Sequence, residues 1–178
     1  MENSASEKAV EALRAGKLII YPTDTIYGLG CDATNETAVE KVYALKKRPR
    51  DMPLSVLVSD FEMLQKYADV STEQMKLLEE KLPGPFTFIL KPKKDLPVSD
   101  GNVGFRMIKN RLVNQIVKKF GRPVTATSAN IHGEPAGTTI KELKAVFGTY
   151  IKLYISGGKL AGRPSKVIDL VNNKTIRF

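Results

Sequence analysis

Short apolar runs alternate with helical repeats along this chain. Residues 18–21, Leu-Ile-Ile-Tyr, form an apolar run of the length of a buried strand. Before it, Ser6 is placed to cap a helix through Ala15, and Gly16 suits its stop. After it, Asn35 is placed to cap a helix to about Lys46, with Ala38, Val42 and Leu45 on one face. Residues 54–58 predict a short strand. Residues 60–67 and 71–82 predict helices, and Ser71-x-x-Gln74 has capping-box spacing. Pro83-Gly-Pro85 breaks the chain before the aromatic and branched run 86–90, a strand. Prolines, charges and a glycine make 91–102 a loop.

Residues 103–107 predict a strand, 111–120 a helix closed by Gly121, and 124–127 a strand. A polar, glycine-bearing loop follows over 128–138. Thr139-x-x-Glu142 again has capping-box spacing and starts a helix to Phe147. Residues 153–155, 167–170 and 175–178 are final short strands, with a Gly/Lys/Arg-rich loop over 156–166. Strands and helices are interspersed, so the fold class is α/β with a mixed sheet. No Gly-x-Gly-x-x-Gly follows a strand, and no Gly-x-x-x-x-Gly-Lys-Ser/Thr is present. A nucleotide must therefore be held by another architecture.

The 178 residues predict a single domain over 1–178, and 42% hydrophobic residues suffice for a sizeable core. No run approaches the roughly 18 apolar residues of a membrane span. Residues 1–8 are polar and acidic, unlike a secretion signal. The single cysteine, Cys31, has no internal partner for a disulfide, which fits a reducing cytoplasm. Cys31 and the single histidine, His132, are far apart, which argues against a Cys/His metal site. Lys and Arg total 28 against 19 Asp and Glu, a net charge of +9. That surplus favours nucleotides, RNA or polyphosphate as partners, with solubility as the plainer explanation.

Chemistry concentrates in five places. Residues 21–30, Tyr-Pro-Thr-Asp-Thr-Ile-Tyr-Gly-Leu-Gly, leave the first strand as a loop, and such crevices bind ligands in open α/β sheets. Thr23, Asp24 and Thr25 suit either a small polar ligand or a turn set by Pro22 and Asp24. Lys46-Lys-Arg48-Pro49-Arg50 offers cations stiffened by Pro49 and Pro53, or a solvated helix end. Arg106 ends an apolar stretch and is placed for an anion, or is a surface arginine. Thr125-Ala-Thr-Ser-Ala-Asn130 ends in Ser128 and Asn130, a hydroxyl and an amide suited to a phosphate or a base edge. The glycines and cations of 157–166 suit phosphate contacts or a flexible loop. His132 and Cys31 read as a loop residue and a packing residue, not as a base and a nucleophile.

Together these stretches carry a resemblance. Tyr21-Pro-Thr-Asp-Thr-x-Tyr-Gly-Leu-Gly-Cys31, Lys46-x-Arg48-Pro49, Pro83-Gly-Pro-x-Thr87, Gly104-x-Arg106, Ser128-Ala-Asn130 and Pro164-Ser-x-Val-x-Asp169 stand in the order of the YrdC/Sua5 family, the L-threonylcarbamoyladenylate synthases. The resemblance runs from about Val10 to Arg177 and matches the short, single-domain form. It implies a twisted open α/β sheet with flanking helices around a basic concave face. It implies a nucleotidyltransferase that makes threonylcarbamoyl-AMP and pyrophosphate from L-threonine, bicarbonate or CO₂, and ATP with Mg²⁺. The product would serve N6-threonylcarbamoyladenosine formation in tRNA through a separate transferase complex.

By the same resemblance, Lys46 and Arg48 meet the carboxylated intermediate and phosphates, and Thr23 and Thr25 hold threonine. Arg106, Ser128, Asn130, Ser165 and Arg177 belong to the ATP site, and Thr87 is structural. Met52, His132 and Lys166 depart from the residues common in the family at those positions. Charge building on phosphate oxygens needs positioned cations, so Lys46, Arg48 and Arg106 are expected as electrostatic clamps and no covalent intermediate is needed. The alternatives are a non-catalytic RNA-binding module and a carbamoyl-adenylate-forming relative.

Overall fold

The computed structural model describes residues 2–177, and side chains over 4–176. In chain order the elements are α1 (Glu2–Arg14), β1 (Ile19–Tyr21), β2 (Gly28–Gly30), α2 (Glu36–Lys46), β3 (Val56–Leu57), α3 (Phe61–Tyr67), β4 (Ala68–Asp69) and α4 (Thr72–Lys81). There follow β5 (Phe86–Pro92), β6 (Val103–Arg106), α5 (Arg111–Phe120), β7 (Val124–Thr125), β8 (Thr127–Ser128), α6 (Ile140–Phe147), β9 (Leu153–Tyr154), β10 (Lys166–Asp169) and β11 (Lys174–Arg177). The class is the expected mixed α/β, with open sheets that combine parallel and antiparallel pairs.

The strands form two sheets. One has the order β8-β2-β1-β9, and the other runs β11-β10-β5-β6-β3-β7 with β4 against β5. The stretch 124–127, expected as one strand, is divided between them. β7 pairs with β3 in the larger sheet, and β8 pairs with β2 in the smaller. Ala126 stands at the change, its N–H donating to the Ser55 carbonyl at 2.7 Å. This segment therefore ties the sheets together, and Ser128, expected in a loop, lies in β8 opposite Gly28.

Gly28 and Gly30, expected in a loop, are the ends of β2, antiparallel to β1. Their role is steric. The Tyr21 ring lies over them, and a Cβ at Gly30 would stand 2.6 Å from Tyr21 Cε1 and 2.7 Å from Val124 Cγ1. The buried Tyr21 hydroxyl then reaches the Thr125 carbonyl at 2.8 Å, which links β1 to the crossing segment.

Helix ends follow local chemistry closely. Asn35, Asp60, Ser71, Asn110 and Thr139 all cap helix N-termini with their side chains, and Ser71 with Gln74 completes a capping box. Ser6 does not cap: α1 starts earlier, and Ser6 is buried within it, its hydroxyl accepting from Lys119 Nζ at 3.2 Å. The buried face of α2 comprises Ala38, Val39, Val42, Tyr43 and Lys46, with Leu45 half-buried on a flank. Among the described residues, no helix is long and apolar enough to cross a membrane.

Two outcomes follow from this packing. Gly30→Ala is expected to lower stability by about 1–3 kcal/mol, the cost of overpacking a filled interior; an unchanged denaturant midpoint would contradict the ring contact. Cys31 is fully buried, and burial pushes its thiol up to about 12. It should resist a thiol-reactive dye in the native protein at pH 8 and react once the protein is denatured.

Candidate active site

A cavity of about 440 Å³ is walled by both sheets: Tyr21, Gly28 and Ser128 from the smaller, Thr87, Gly104 and Arg106 from the larger. Its polar lining includes Thr23, Arg48, Asp51, Arg106, Ser128 and Ser165. Gly104 keeps the wall thin, since a Cβ there would meet Ser55 Oγ at 2.5 Å and Thr87 Cγ2 at 2.9 Å.

The loop between β1 and β2 is built around one hydroxyl. Thr23 Oγ1 donates to the Ile26 carbonyl at 2.6 Å and accepts from the N–H groups of Thr25 at 3.0 Å and Ile26 at 3.2 Å. It also lies 2.9 Å from Thr25 Oγ1. Such side-chain bonds replace backbone turns, which is why Thr and Asp suit this loop. Thr25 is buried behind the cavity wall, where its hydroxyl meets the Arg106 guanidinium at 3.4 Å. Arg106 also pairs with Asp24 at 3.3 Å, and Asp24 accepts from the Lys109 N–H at 3.3 Å. The loop and Arg106 thus form one polar group. The 156–162 segment closes on this loop. Gly162 N–H donates to the Thr25 carbonyl at 3.1 Å, and the Tyr27 hydroxyl reaches the Gly158 carbonyl at 2.7 Å.

The Lys46–Arg48 turn has a different construction. Helix α2 ends with Lys47 in the left-handed region, φ 50° and ψ 39°. Lys47 N–H bonds the Ala44 carbonyl at 3.1 Å and Arg48 N–H the Tyr43 carbonyl at 3.0 Å, the paired bonds of a Schellman end. A side chain in this region costs roughly 1–2 kcal/mol. The turn sends Lys46 inward and Arg48 to the cavity. Lys46 is 1% exposed. Its ammonium donates to Ser128 O at 2.5 Å, Asn130 O at 2.7 Å and Asn130 Oδ1 at 3.1 Å. All three of its protons are engaged, so it fastens the end of β8 and the turn after it to α2. Arg48 is pinned by bonds to the Met52 and Pro53 carbonyls, both at 3.0 Å, and the Tyr43 hydroxyl bonds Met52 O at 3.1 Å.

Of the expected residues, Thr23, Arg48, Arg106, Ser128 and Ser165 line one cavity. Thr25, Lys46 and Asn130 stand behind its wall, in contact with those that line it. Lys46 is not among the lining residues, and its ammonium is bonded to three protein acceptors. Arg177 lies in β11, and its side chain is outside the described residues. Thr87 lies in β5. It lines the cavity, and its hydroxyl is 2.8 Å from that of Ser165. A hydroxyl within the apolar run 86–90 was the signal for it. Asp51 had no such signal, because only the turn after Pro49 brings it to the cavity. Met52 is 38% exposed on the cavity wall, while the side chains of His132 and Lys166 are exposed.

Burial, with Arg48 nearby, lowers the Lys46 amine to about 8 from its usual 10.5. Between those values the unfolded chain binds a proton that the folded chain lacks, so stability rises with pH across that window. The stability difference between the wild type and Lys46→Met should move in favour of the wild type from pH 8 to 10.5 and stay flat below pH 8. Denaturant titrations at each pH test this; a constant difference across the window would overturn it.

The sequence and the fold have counterparts among known proteins. The Sua5/YciO/YrdC family model, described as telomere recombination, matches residues 11–178. A Photobacterium profundum protein named threonylcarbamoyl-AMP synthase is 33% identical over 96% of this chain and 97% of its own. The structure of P. abyssi Sua5 complexed with L-threonine superposes with a TM-score of 0.89 and 33% identity, over 96% of this chain. This chain spans about half, 52%, of that longer protein. The E. coli YciO structure gives a TM-score of 0.87 at 27% identity, over all of this chain and 92% of that one. With the family model covering nearly its whole length, the chain belongs to the Sua5/YciO/YrdC family.

Proposed function

We propose that this protein is an L-threonylcarbamoyl-AMP synthase, a nucleotidyltransferase that joins L-threonine, bicarbonate or CO₂, and ATP. The observation that carries the proposal is a single cavity lined by two arginines, Arg48 and Arg106, together with Thr23, Ser128 and Ser165. Relatives named as that synthase, and a Sua5 structure holding L-threonine, support it.

The amine of threonine adds to CO₂ and releases a proton, forming a carbamate. A carbamate oxygen attacks the α-phosphorus of ATP, a P–O bond forms, and pyrophosphate leaves with the electrons of the bond it breaks. Negative charge grows on the phosphate oxygens and the leaving group. Fixed guanidinium groups stabilise that charge without reorganising. Arg48 is suited to this because its own bonds to Met52 O and Pro53 O hold it in place. Arg106 is suited to the junction of carbamate and α-phosphate, since Asp24 and Thr25 fix it beside the loop assigned to threonine. Thr23 lines that end and Thr25 supports it. Ser128, Asn130, Ser165 and Arg177 are assigned to the nucleotide. Lys46 positions Ser128 and Asn130 from behind.

Mg²⁺ enters as part of the MgATP substrate and neutralises phosphate charge. Among the described residues no group of three or more His, Cys, Asp or Glu side chains is placed to hold a metal. Asp51 is a carboxylate on the cavity wall. The +9 charge suits a protein that works beside tRNA in the cytoplasm and hands its adenylate to a separate transferase.

Pyrophosphate release should require ATP, Mg²⁺, threonine and bicarbonate together. Turnover indifferent to threonine would favour a carbamoyl-adenylate-forming enzyme, and salt-sensitive RNA binding with no turnover would favour an RNA-binding module. Arg48→Ala and Arg106→Ala should each lower kcat/KM by on the order of 100-fold or more with the fold retained. Near-normal turnover in both would sink the assignment.

A further inference from the structure

A second concavity, of about 850 Å³, shares no residue with the cavity described above. Its floor is apolar, formed by Ala12, Leu18, Leu45, Ile131, Val146 and Leu153. Its rim carries Lys8, Lys17, Lys41, Lys47 and Lys152, and no Asp or Glu lines it. None of these lysines has an ion-pair partner among the described residues. Val146 is 50% exposed and Tyr150 70%, both among the large apolar side chains left uncovered.

Helix ends explain part of the charge. The C-terminal ends of α1, α2 and α6 meet this groove at Gly16, Lys47 and Tyr150. Lys41 Nζ donates to Gly16 O at 3.3 Å and Lys152 Nζ to Gly148 O at 2.9 Å. Each helix end presents roughly half a negative charge. Three such ends offset less than two of the five lysines, so the rim keeps a net positive charge around a greasy floor. Lysines extending along apolar surface keep their head groups at the edge. This distribution differs from a site for one compact anion, where the donors would converge on a point.

We infer that this groove docks an acidic amphipathic helix from a partner protein. Leucine-like side chains at positions i, i+3, i+4 and i+7 would fill the floor, and flanking carboxylates would meet the lysine rim. The groove also adjoins the candidate active site through the chain itself. Lys47 lies in the groove, while Lys46 holds the 128–130 turn and Arg48 lines the cavity. Ile131 lies in the groove directly after Asn130, whose carbonyl receives Lys46. A bound helix would therefore rest on the back of the wall that carries Arg48 and Ser128.

The probe is a labelled synthetic 18-residue helix with leucines at that spacing and glutamates elsewhere, compared with a scrambled peptide of the same composition. Fluorescence anisotropy with the full chain should show the amphipathic peptide binding at least tenfold more tightly than the scramble. Val146→Asp and the double variant Lys8→Glu/Lys17→Glu should each weaken it tenfold or more. Both variants should keep wild-type turnover. Amide exchange with the peptide bound should show protection over 12–18, 41–47 and 146–153. Equal binding of the scramble, or protection centred on the 440 Å³ cavity, would overturn the proposal. So would preferential capture of anionic phosphatidylglycerol vesicles or RNA, abolished by these variants, with no peptide preference.

Discussion

A buried ammonium organises the candidate active site. Lys46 leaves the last turn of α2 and places its three protons on the Ser128 and Asn130 carbonyls and the Asn130 amide oxygen. The backbone of the 128–130 turn therefore follows the end of α2. A buried charge is tolerated only when its donors are satisfied, and here the protein satisfies them with its own acceptors. Removing the amine would take from the Asn130 carbonyl its lysine donor, a cost of about 1–3 kcal/mol for a buried acceptor left unsatisfied, while Ser128 O keeps the Asn130 N–H and Asn130 Oδ1 keeps the Ser128 hydroxyl. The left-handed Lys47 belongs to the same construction, because it turns the chain so that Lys46 points inward and Arg48 reaches the cavity.

The cavity exists because one segment belongs to two sheets. Residues 124–125 pair with β3 and 127–128 pair with β2. Where a strand changes sheets, the sheets diverge, and a crevice opens beside the change. Tyr21 fastens the same place by stacking over Gly28 and Gly30 and bonding Thr125 O. Glycine in these strands allows close approach of a ring, which matters more here than any freedom of the backbone.

Charge is arranged differently on the two sides of the α2 end. In the cavity, arginines are fixed by carbonyls or by Asp24, as suits geometry-dependent recognition of phosphate and carboxylate. In the lysine-rimmed groove the cations are compact and sit on long stems around apolar surface, as suits a partner read by its overall charge and its apolar face. One helix terminus separates these two environments by a single residue.

The sequence by itself determined the class, most element positions and most of the polar residues at the cavity. Caps at Asn35, Ser71 and Thr139 are local events, settled by hydrogen bonds within four residues, so their spacing predicts them. The run 124–127 looks like one strand because periodicity does not encode which neighbour a strand pairs with. Only the tertiary structure divided it at Ala126. The ordered motifs marked Thr23, Arg48, Arg106, Ser128 and Ser165, all on the cavity wall. They did not separate cations that face the cavity from one that is internally engaged. Lys46 and Arg48 are two residues apart and chemically alike in sequence. The αL turn at Lys47 and acceptors more than eighty residues away made one a buried tie and left the other at the cavity.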